Sequence, residues 1–538
     1  MSRRYVLVAG TALLALLALT YSDVRTHAFV NLDDDLYVYR NPVVREGLSA
    51  SGVQWAFTTT SGGHYHPFTW LSLMVDVSLY GVDAARLALS NVMHHAAVSG
   101  LVFVWLLALT GAARPSLVAA ALFALHPTRV ESVAWVTERK DVLSSLFGFA
   151  SLWLFVAQAR QRQVAQRASL LVYAAASVVC FACALLAKPT WVVLPGLLLL
   201  LTLVPFSTHP LPAAKTVRWL APFAVLSLAA SAWTLFGQAR EHAIASSEAV
   251  PLLRRLAEVP VNAMRTLGLF VWPVDLAVFY PRVESPVVVV ALATLASAGL
   301  LVLIVWSRRT RPHVSFGLAW FLLAFIPVSG LVPAGGQSIA DRFLYLPGAG
   351  LCILVAWELE RLGSRMTASV LTSVIILGCA FLSARQVRVW KDSETLFRHA
   401  LAVAPSFFAH NDLGVALDER GQLDAATEHY AASLQLNPGY PEANNNYGSA
   451  IARRGRFSEA IPYFSRAIAV RPTFARAHYH LGLARYSLLK QAPGSAADWA
   501  QARSALEAAV RLDPKDSDAQ ATLRAFIQER GPRGPSSP

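Results

Sequence analysis

Eleven apolar stretches follow one another through the first 384 residues. They lie near 5–21, 87–109, 115–125, 142–157, 169–187, 190–206, 218–236, 286–306, 314–333, 343–357 and 367–384. A helix rises 1.5 Å per residue and the hydrocarbon core of a bilayer is about 30 Å thick, so runs near twenty apolar residues read as spanning helices. The composition agrees: 55% hydrophobic and 15% charged residues, with a mean hydropathy of +0.45, place the chain among polytopic membrane proteins rather than soluble globules. The net charge of +13 comes without a basic stripe interleaved with aromatics, which excludes a nucleic-acid partner.

The basic residues instead carry topology. With Arg3 and Arg4 cytoplasmic, strict alternation puts Arg114, then Arg160, Arg162 and Arg167, then Lys215 and Arg218 inside. A twelfth candidate, 259–274, holds Asn262 and Arg265. Counting it as a span would put Arg308, Arg309 and Arg311 outside, so it reads as an interfacial or re-entrant helix. About eleven spans result, with the N-terminus cytoplasmic and everything beyond Arg385 outside. The N-terminal stretch reads as an uncleaved first helix, because no small-x-small site follows it. Cys180, Cys183, Cys352 and Cys379 all sit inside apolar runs, and no disulfide framework is expected.

The inner loops are short, whereas the outer ones hold the unusual residues. Asp33, Asp34 and Asp35 form a run about a dozen residues after the first apolar stretch. Three adjacent carboxylates repel one another, which suits a general base, a metal ligand or a solvated loop; the reading adopted is a base. His64 and His66 follow in the same loop. They read as an interfacial turn, or with Asp33 and Asp34 as ligands of a divalent cation, though the spacing names no metal. In the second outer loop, His126, Arg129, Glu131, Glu138, Arg139, Lys140 and Asp141 interleave with Val130, Val133, Trp135 and Val136. Charges at a membrane boundary are costly unless paired or liganded. The loop reads as a short amphipathic helix with one polar face whose Arg129, Arg139 and Lys140 suit a phosphate, or as an ion-paired structural elbow. Lys188 and Arg342 are further charges at outer boundaries, where long side chains can snorkel.

Beyond residue 385 a period appears. Gly414, Gly448 and Gly482 are 34 apart, as are Gly421 and Gly455, Ala426 and Ala460, Tyr430 and Phe464, and Pro438 and Pro472. This is the tetratricopeptide pattern of paired helices stacked into a solenoid. Trp390 to Pro405 reads as a capping half-repeat. The third unit carries an insertion near 489–494 and closes at Pro514. The expected division is 1–385 transmembrane, 386–525 repeats and 526–538 a disordered tail, all-α throughout.

At these residues the chain resembles the transmembrane and tetratricopeptide repeat (TMTC) proteins and their bacterial relatives. The resemblance rests on Asp33-Asp34-x-x-x-Val38-x-x-Asn41, on the loop from His126-Pro127 through Glu131 and Val133 to Arg139 and Asp141, and on Trp272-Pro273 with Tyr280. It continues in Asp341-Arg342-Phe343-Leu344-Tyr345-Leu346-Pro347 and in Trp390-Lys391-Asp392 leading to Thr395-Leu396-Phe397. It implies a GT-C-class glycosyltransferase, similar to protein O-mannosyltransferases, that takes sugar from a polyprenyl-phosphate carrier on the lumenal or periplasmic face of a membrane, here a bacterial inner membrane. By the same resemblance Asp33 or Asp34 is the base, and Arg342 with the elbow pairs Arg129/Glu131 and Arg139/Asp141 holds the carrier phosphate. Asp35, His64, His66, His126, Glu138 and Lys188 support the site. The acidic run has one member more than the family motif, so it leaves open which carboxylate is the base. The partners implied are the lipid-linked sugar, an acceptor polypeptide held by the repeats, and the bilayer. No cofactor is required, although a divalent cation fits the chemistry. The competing readings are a non-enzymatic repeat scaffold anchored for envelope complexes, and a lipid-linked sugar transporter, which would need ionisable residues along the middle of its spans.

Overall fold

The computed structural model describes residues 3–60, 65–161, 167–207, 213–240, 251–332, 336–492 and 494–529. The chain divides into two compact units, Met1–Leu396 and Phe397–Pro538. It is all-α apart from one antiparallel pair, Tyr280–Pro281 with Gln337–Ile339.

Among the described residues of the first unit seven helices are long and apolar enough to cross a membrane: Leu7–Thr26, Ala84–Thr110, Val136–Arg160, Leu170–Ala187, Trp219–Gly237, Val287–Thr310 and Arg365–Val389. The other four expected spans are helical but short, at Ala113–Leu125, Pro189–Leu203, Pro312–Val328 and Pro347–Glu360. A 13-residue helix reaches only about 20 Å. Among the described residues the eleven expected apolar spans thus appear as seven long helices and four short ones. Proline is the cause. Pro127, Pro189, Pro327 and Pro347 stand where 3-10 turns meet the short helices, and a proline inside a helix forfeits a hydrogen bond and clashes with the preceding turn. The amphipathic helix Leu252–Val271 is not among the seven; Val261, Asn262, Ala263, Thr266 and Phe270 are buried while Leu252, Leu253 and Leu256 are exposed. The four cysteines are free thiols.

The second unit stacks Phe407–Glu419 on Leu423–Leu436, Pro441–Ala452 on Phe457–Val470, and Ala475–Gln491 on Ala496–Leu512, closing with Ser517–Glu529. The periodic glycines lie where paired helices cross. A Cβ on Gly414 would stand 2.6 Å from the Tyr430 ring, one on Gly448 2.8 Å from Phe464, and one on Gly482 2.7 Å from Leu506. In the third pair the large partner comes 42 residues after Phe464 instead of 34 after it. The extra residues lengthen both helices of that pair rather than forming a separate loop. Phe526 is buried, so the repeat unit continues to Glu529 rather than ending at 525. The remainder of the expected tail, 530–538, lies outside the described residues.

Candidate functional site

The site begins with Asn41, whose side chain accepts hydrogen bonds from the amides of Val43 and Val44 and caps the short helix Pro42–Arg45. Val38 is buried beneath it, and this anchors the turn that presents the acidic run. The three carboxylates then part company. Asp35 accepts from the amide of Leu36 and lies 3.9 Å from Arg40 on the surface. Asp34 is buried and accepts three hydrogen bonds, from the Val30 amide at 3.0 Å, the Thr137 amide at 3.1 Å and the Thr137 hydroxyl at 2.5 Å. Burial pushes its carboxyl up to about 6, against the pull of the Thr137 hydroxyl. Asp33, like Asp35, is half-buried. It acts electrostatically on Tyr37, whose phenol burial pushes up to about 12 and which also feels Lys140 and Glu138. The Lys140 ammonium lies 4.8 Å from the Tyr37 ring centre. Tyr37 stacks on Trp70 and on the buried His66, at 4.5 and 5.3 Å.

Every residue from His126 to Asp141 is buried. The expected amphipathic helix with a wet polar face is therefore corrected. The segment is a buried elbow made of a 3-10 turn at Pro127–Arg129, a helix at Val130–Ala134 and a second 3-10 turn at Val136–Glu138. Its charges are paired inward. Glu131 accepts the Arg342 amide at 2.8 Å and pairs with the Arg342 guanidinium. Glu138 lies 3.2 Å from Lys140, 2.9 Å from Lys188 and 3.6 Å from Arg342. Asp141 completes the set, 2.7 Å from Lys188 and accepting from Ser132 at 3.2 Å. Lys188 is thus an ion-pair partner rather than a snorkelling side chain. Burial works against the charge on Arg342, but Glu131 and Glu138 more than reverse this and hold it above its ordinary value. Burial lifts Glu131, and Arg342 opposes that lift.

Two expected phosphate ligands face away from this cluster. Arg139 is fully enclosed; it pairs with Asp76, donates to Asn91 at 2.7 Å and to the Leu87 carbonyl at 2.7 Å. Arg129 is equally enclosed, donating to the carbonyls of Phe123 and Leu344 with its guanidinium 4.6 Å from the Phe123 ring centre. Both guanidiniums are enclosed by protein, and Nη2 of Arg129 has no hydrogen-bond partner among the described residues. His126 is buried between Thr128 at 2.9 Å and the Phe270 carbonyl at 3.0 Å, and burial with Arg129 beside it lowers it to about 3. It ties the elbow to the amphipathic helix through the Phe270 carbonyl. Asp341 accepts from Tyr280 at 2.8 Å; burial, and then Glu131, lift its carboxyl well above the usual range.

His64 lies outside the described residues. Among the described residues no group of three or more His, Cys, Asp or Glu side chains is arranged to hold a metal ion. Sequence reasoning overlooked Tyr37, Thr137, Asp76 and Asn91. A lone Asp76 in an otherwise apolar helix was the one available signal, since a buried carboxylate demands a cation. The Trp390 of the resemblance motif stacks on Trp135 at 5.6 Å, closing the elbow from behind. Arg342, Lys140 and Lys188 keep 14, 10 and 20% of their side chains exposed, and Asp33 acts electrostatically on Lys140.

The fold and this polar end define a multi-pass, all-α membrane protein with a C-terminal tetratricopeptide solenoid. Residues 448–488 match the family model described as TPR repeat. Beyond that, the chain is a homologue of proteins named protein O-mannosyl-transferase. It is 26% identical to human TMTC4 over 429 residues, covering 69% of this chain and 58% of the relative. With mouse TMTC3 it shares 26% identity, covering 70% and 44%, and with F38B6.6 of Caenorhabditis elegans 25%, covering 60% and 46%. The chain thus spans about half the length of the curated relatives it matches. Among solved structures it resembles the first TPR of Spaghetti (RPAP3) bound to an HSP90 peptide, at 23% identity and a TM-score of 0.21, covering 23% of this chain and 92% of that one. It also resembles MamA, at 23% identity and a TM-score of 0.23, covering 26% and 77%.

Proposed function

We propose that the chain is a membrane glycosyltransferase that moves a mannose-like sugar from a polyprenyl-phosphate carrier to hydroxyl groups of a protein. The site would face the periplasm, with the N-terminus in the cytoplasm of a bacterial cell and the repeats outside. The observation that carries the reading is that half-buried Asp33 acts electrostatically on Lys140, which shares Glu138 with Lys188 and Arg342. The names of the homologues supply the reaction class.

The chemistry needs two things of such a site. As the acceptor oxygen bonds to the anomeric carbon, its proton passes to a base, here Asp33. As the bond from that carbon to the carrier's phosphate oxygen breaks, the electron pair leaves with the polyprenyl monophosphate, and Arg342, Lys188 and Lys140 offset its growing charge. One displacement inverts the anomeric centre and needs no covalent carboxylate. Asp34 is a positioning residue that locks the Asp33 turn to the elbow. Residues 1–385 form the catalytic part, and the repeats present an extended acceptor segment along stacked helix pairs.

Membranes holding the chain, incubated with labelled polyprenyl-phosphate sugars, are expected to yield glycosylated protein by mass spectrometry, and Asp33→Asn to reduce that product by about a hundredfold or more. A chain that transfers nothing from any such donor, yet still assembles its envelope partners, is a scaffold instead.

A further inference from the structure

At the end of the helices opposite Asp33 the structure opens a recess of about 440 Å3, within the range of roughly 300–1,000 Å3 usual for small-molecule sites. The turn Gly111–Pro115, His313, Trp357, Glu360 and Arg361 line it. This end is strongly basic. Arg308, Arg309 and Arg311 end one long helix, Arg365 begins another, and Arg114 and Arg361 stand on the recess itself. The acids facing them are Glu358 and Glu360, and both are occupied. Glu360 lies 3.2 Å from Arg114, while Glu358 lies 2.7 Å from His313 and 3.4 Å from Arg311. Six arginines against two glutamates leave four positive charges, and Arg361 meets no carboxylate among the described residues. Repulsion among them is weakly screened beside hydrocarbon.

We propose that this recess holds the headgroup of an anionic phospholipid from the adjoining leaflet, with Arg361 on its phosphodiester. Arg114 is held in place by Glu360 and by Ser369 at 2.8 Å, and forms the fixed wall. Trp357 packs edge-on against Phe206 at 5.0 Å and lines the recess with an amphipathic ring suited to the glycerol level of a bilayer. A choline headgroup would set its own cation against the same arginines, so the recess discriminates against zwitterionic lipid. The site is separate from Asp33 and stands whether or not the chain transfers sugar.

The test is native mass spectrometry of the purified full chain with phosphatidylglycerol or phosphatidylcholine of matched acyl chains. Phosphatidylglycerol is expected to be retained at least fivefold more. Arg361→Gln, an exposed residue whose loss leaves no buried charge, removes most of that preference; Arg308→Gln, exposed but off the recess, keeps it. Equal retention of the two lipids overturns the proposal. So does a preference that survives Arg361→Gln, or one that falls equally in both variants, which would mark a diffuse field rather than a site. A third arm adds glycerol phosphate, the headgroup without its chains. If it displaces phosphatidylglycerol at matched concentration, the occupant is a soluble phosphate ester and the lipid assignment fails.

Discussion

Asp34 and Thr137, 103 residues apart, are joined by two hydrogen bonds to one carboxylate oxygen, from the Thr137 amide at 3.1 Å and its hydroxyl at 2.5 Å. This clasp fixes the acidic run against the buried elbow. It also divides labour between neighbouring carboxylates, since Asp34 is spent on protein donors while half-buried Asp33 acts electrostatically on Lys140.

Replacing the two therefore has different consequences. Asp33→Asn is expected to lower transfer by about 10²–10⁴-fold, the range for loss of a general base, with unchanged yield. Asp34→Asn turns an amide NH2 toward a backbone donor and costs roughly 1–3 kcal/mol. Its signature is reduced folded yield in fluorescence-detected size exclusion. Full activity in Asp33→Asn removes it as the base.

The clasp also has a pH dependence with a definite sign. Burial raises the Asp34 carboxyl to about 6 from an ordinary 3.8, so between those values the folded chain binds more protons than the unfolded one. Stability from this group is complete below about 3.8 and falls as pH rises through about 6, by about 2–3 kcal/mol in all. Thermal midpoints from pH 4 to 7, compared between the wild type and Asp34→Asn, isolate it. The wild-type midpoint should fall relative to the variant as pH rises; a relative increase contradicts the assignment.

Much of this was legible in the sequence because it is periodic or compositional. The apolar stretches located the helices, and the 34-residue spacing predicted helix pairs that cross at Gly414, Gly448 and Gly482. The elbow was harder. Val130, Val133, Trp135 and Val136 set among charges look the same whether the charges face water or one another, and only the partners Asp34, Asp76, Asn91 and Arg342 decide between the two. Those partners come from 44 to 211 residues away, where local periodicity carries no information. The acidic run posed the same difficulty, since Asp33, Asp34 and Asp35 are chemically identical until a distant threonine claims one of them.

Arg139 separates a structural from a binding role. It is enclosed with Asp76, so Arg139→Ala leaves a buried carboxylate without its cation, at a cost of about 3–5 kcal/mol. Low folded yield is expected, with part of it recovered in Arg139→Met with Asp76→Leu, which removes both charges. Arg342→Lys, which keeps a cation beside the buried Glu131 but removes the guanidinium fork, should instead fold and bind the lipid-linked donor more weakly. A well-folded Arg139→Ala that merely loses donor affinity would return Arg139 to the phosphate site.

The repeats offer a test in which size alone decides. At Gly448 an added Cβ would come within 2.8 Å of the Phe464 ring, tighter than side chains tolerate. Gly448→Ala should cost about 1–3 kcal/mol through overpacking. Adding Phe464→Leu, which shortens the opposing side chain, should restore part of it. Limited proteolysis of the full chain reads this directly, as cleavage within 397–529 rises in the single variant and falls back in the double one. In transfer assays the single variant should lose acceptor use while donor binding holds, because the altered helix pair lies in the second unit and the lipid-linked sugar meets residues of the first. Equal loss of both would mean that the solenoid supports the fold of the catalytic unit rather than recruiting its acceptor.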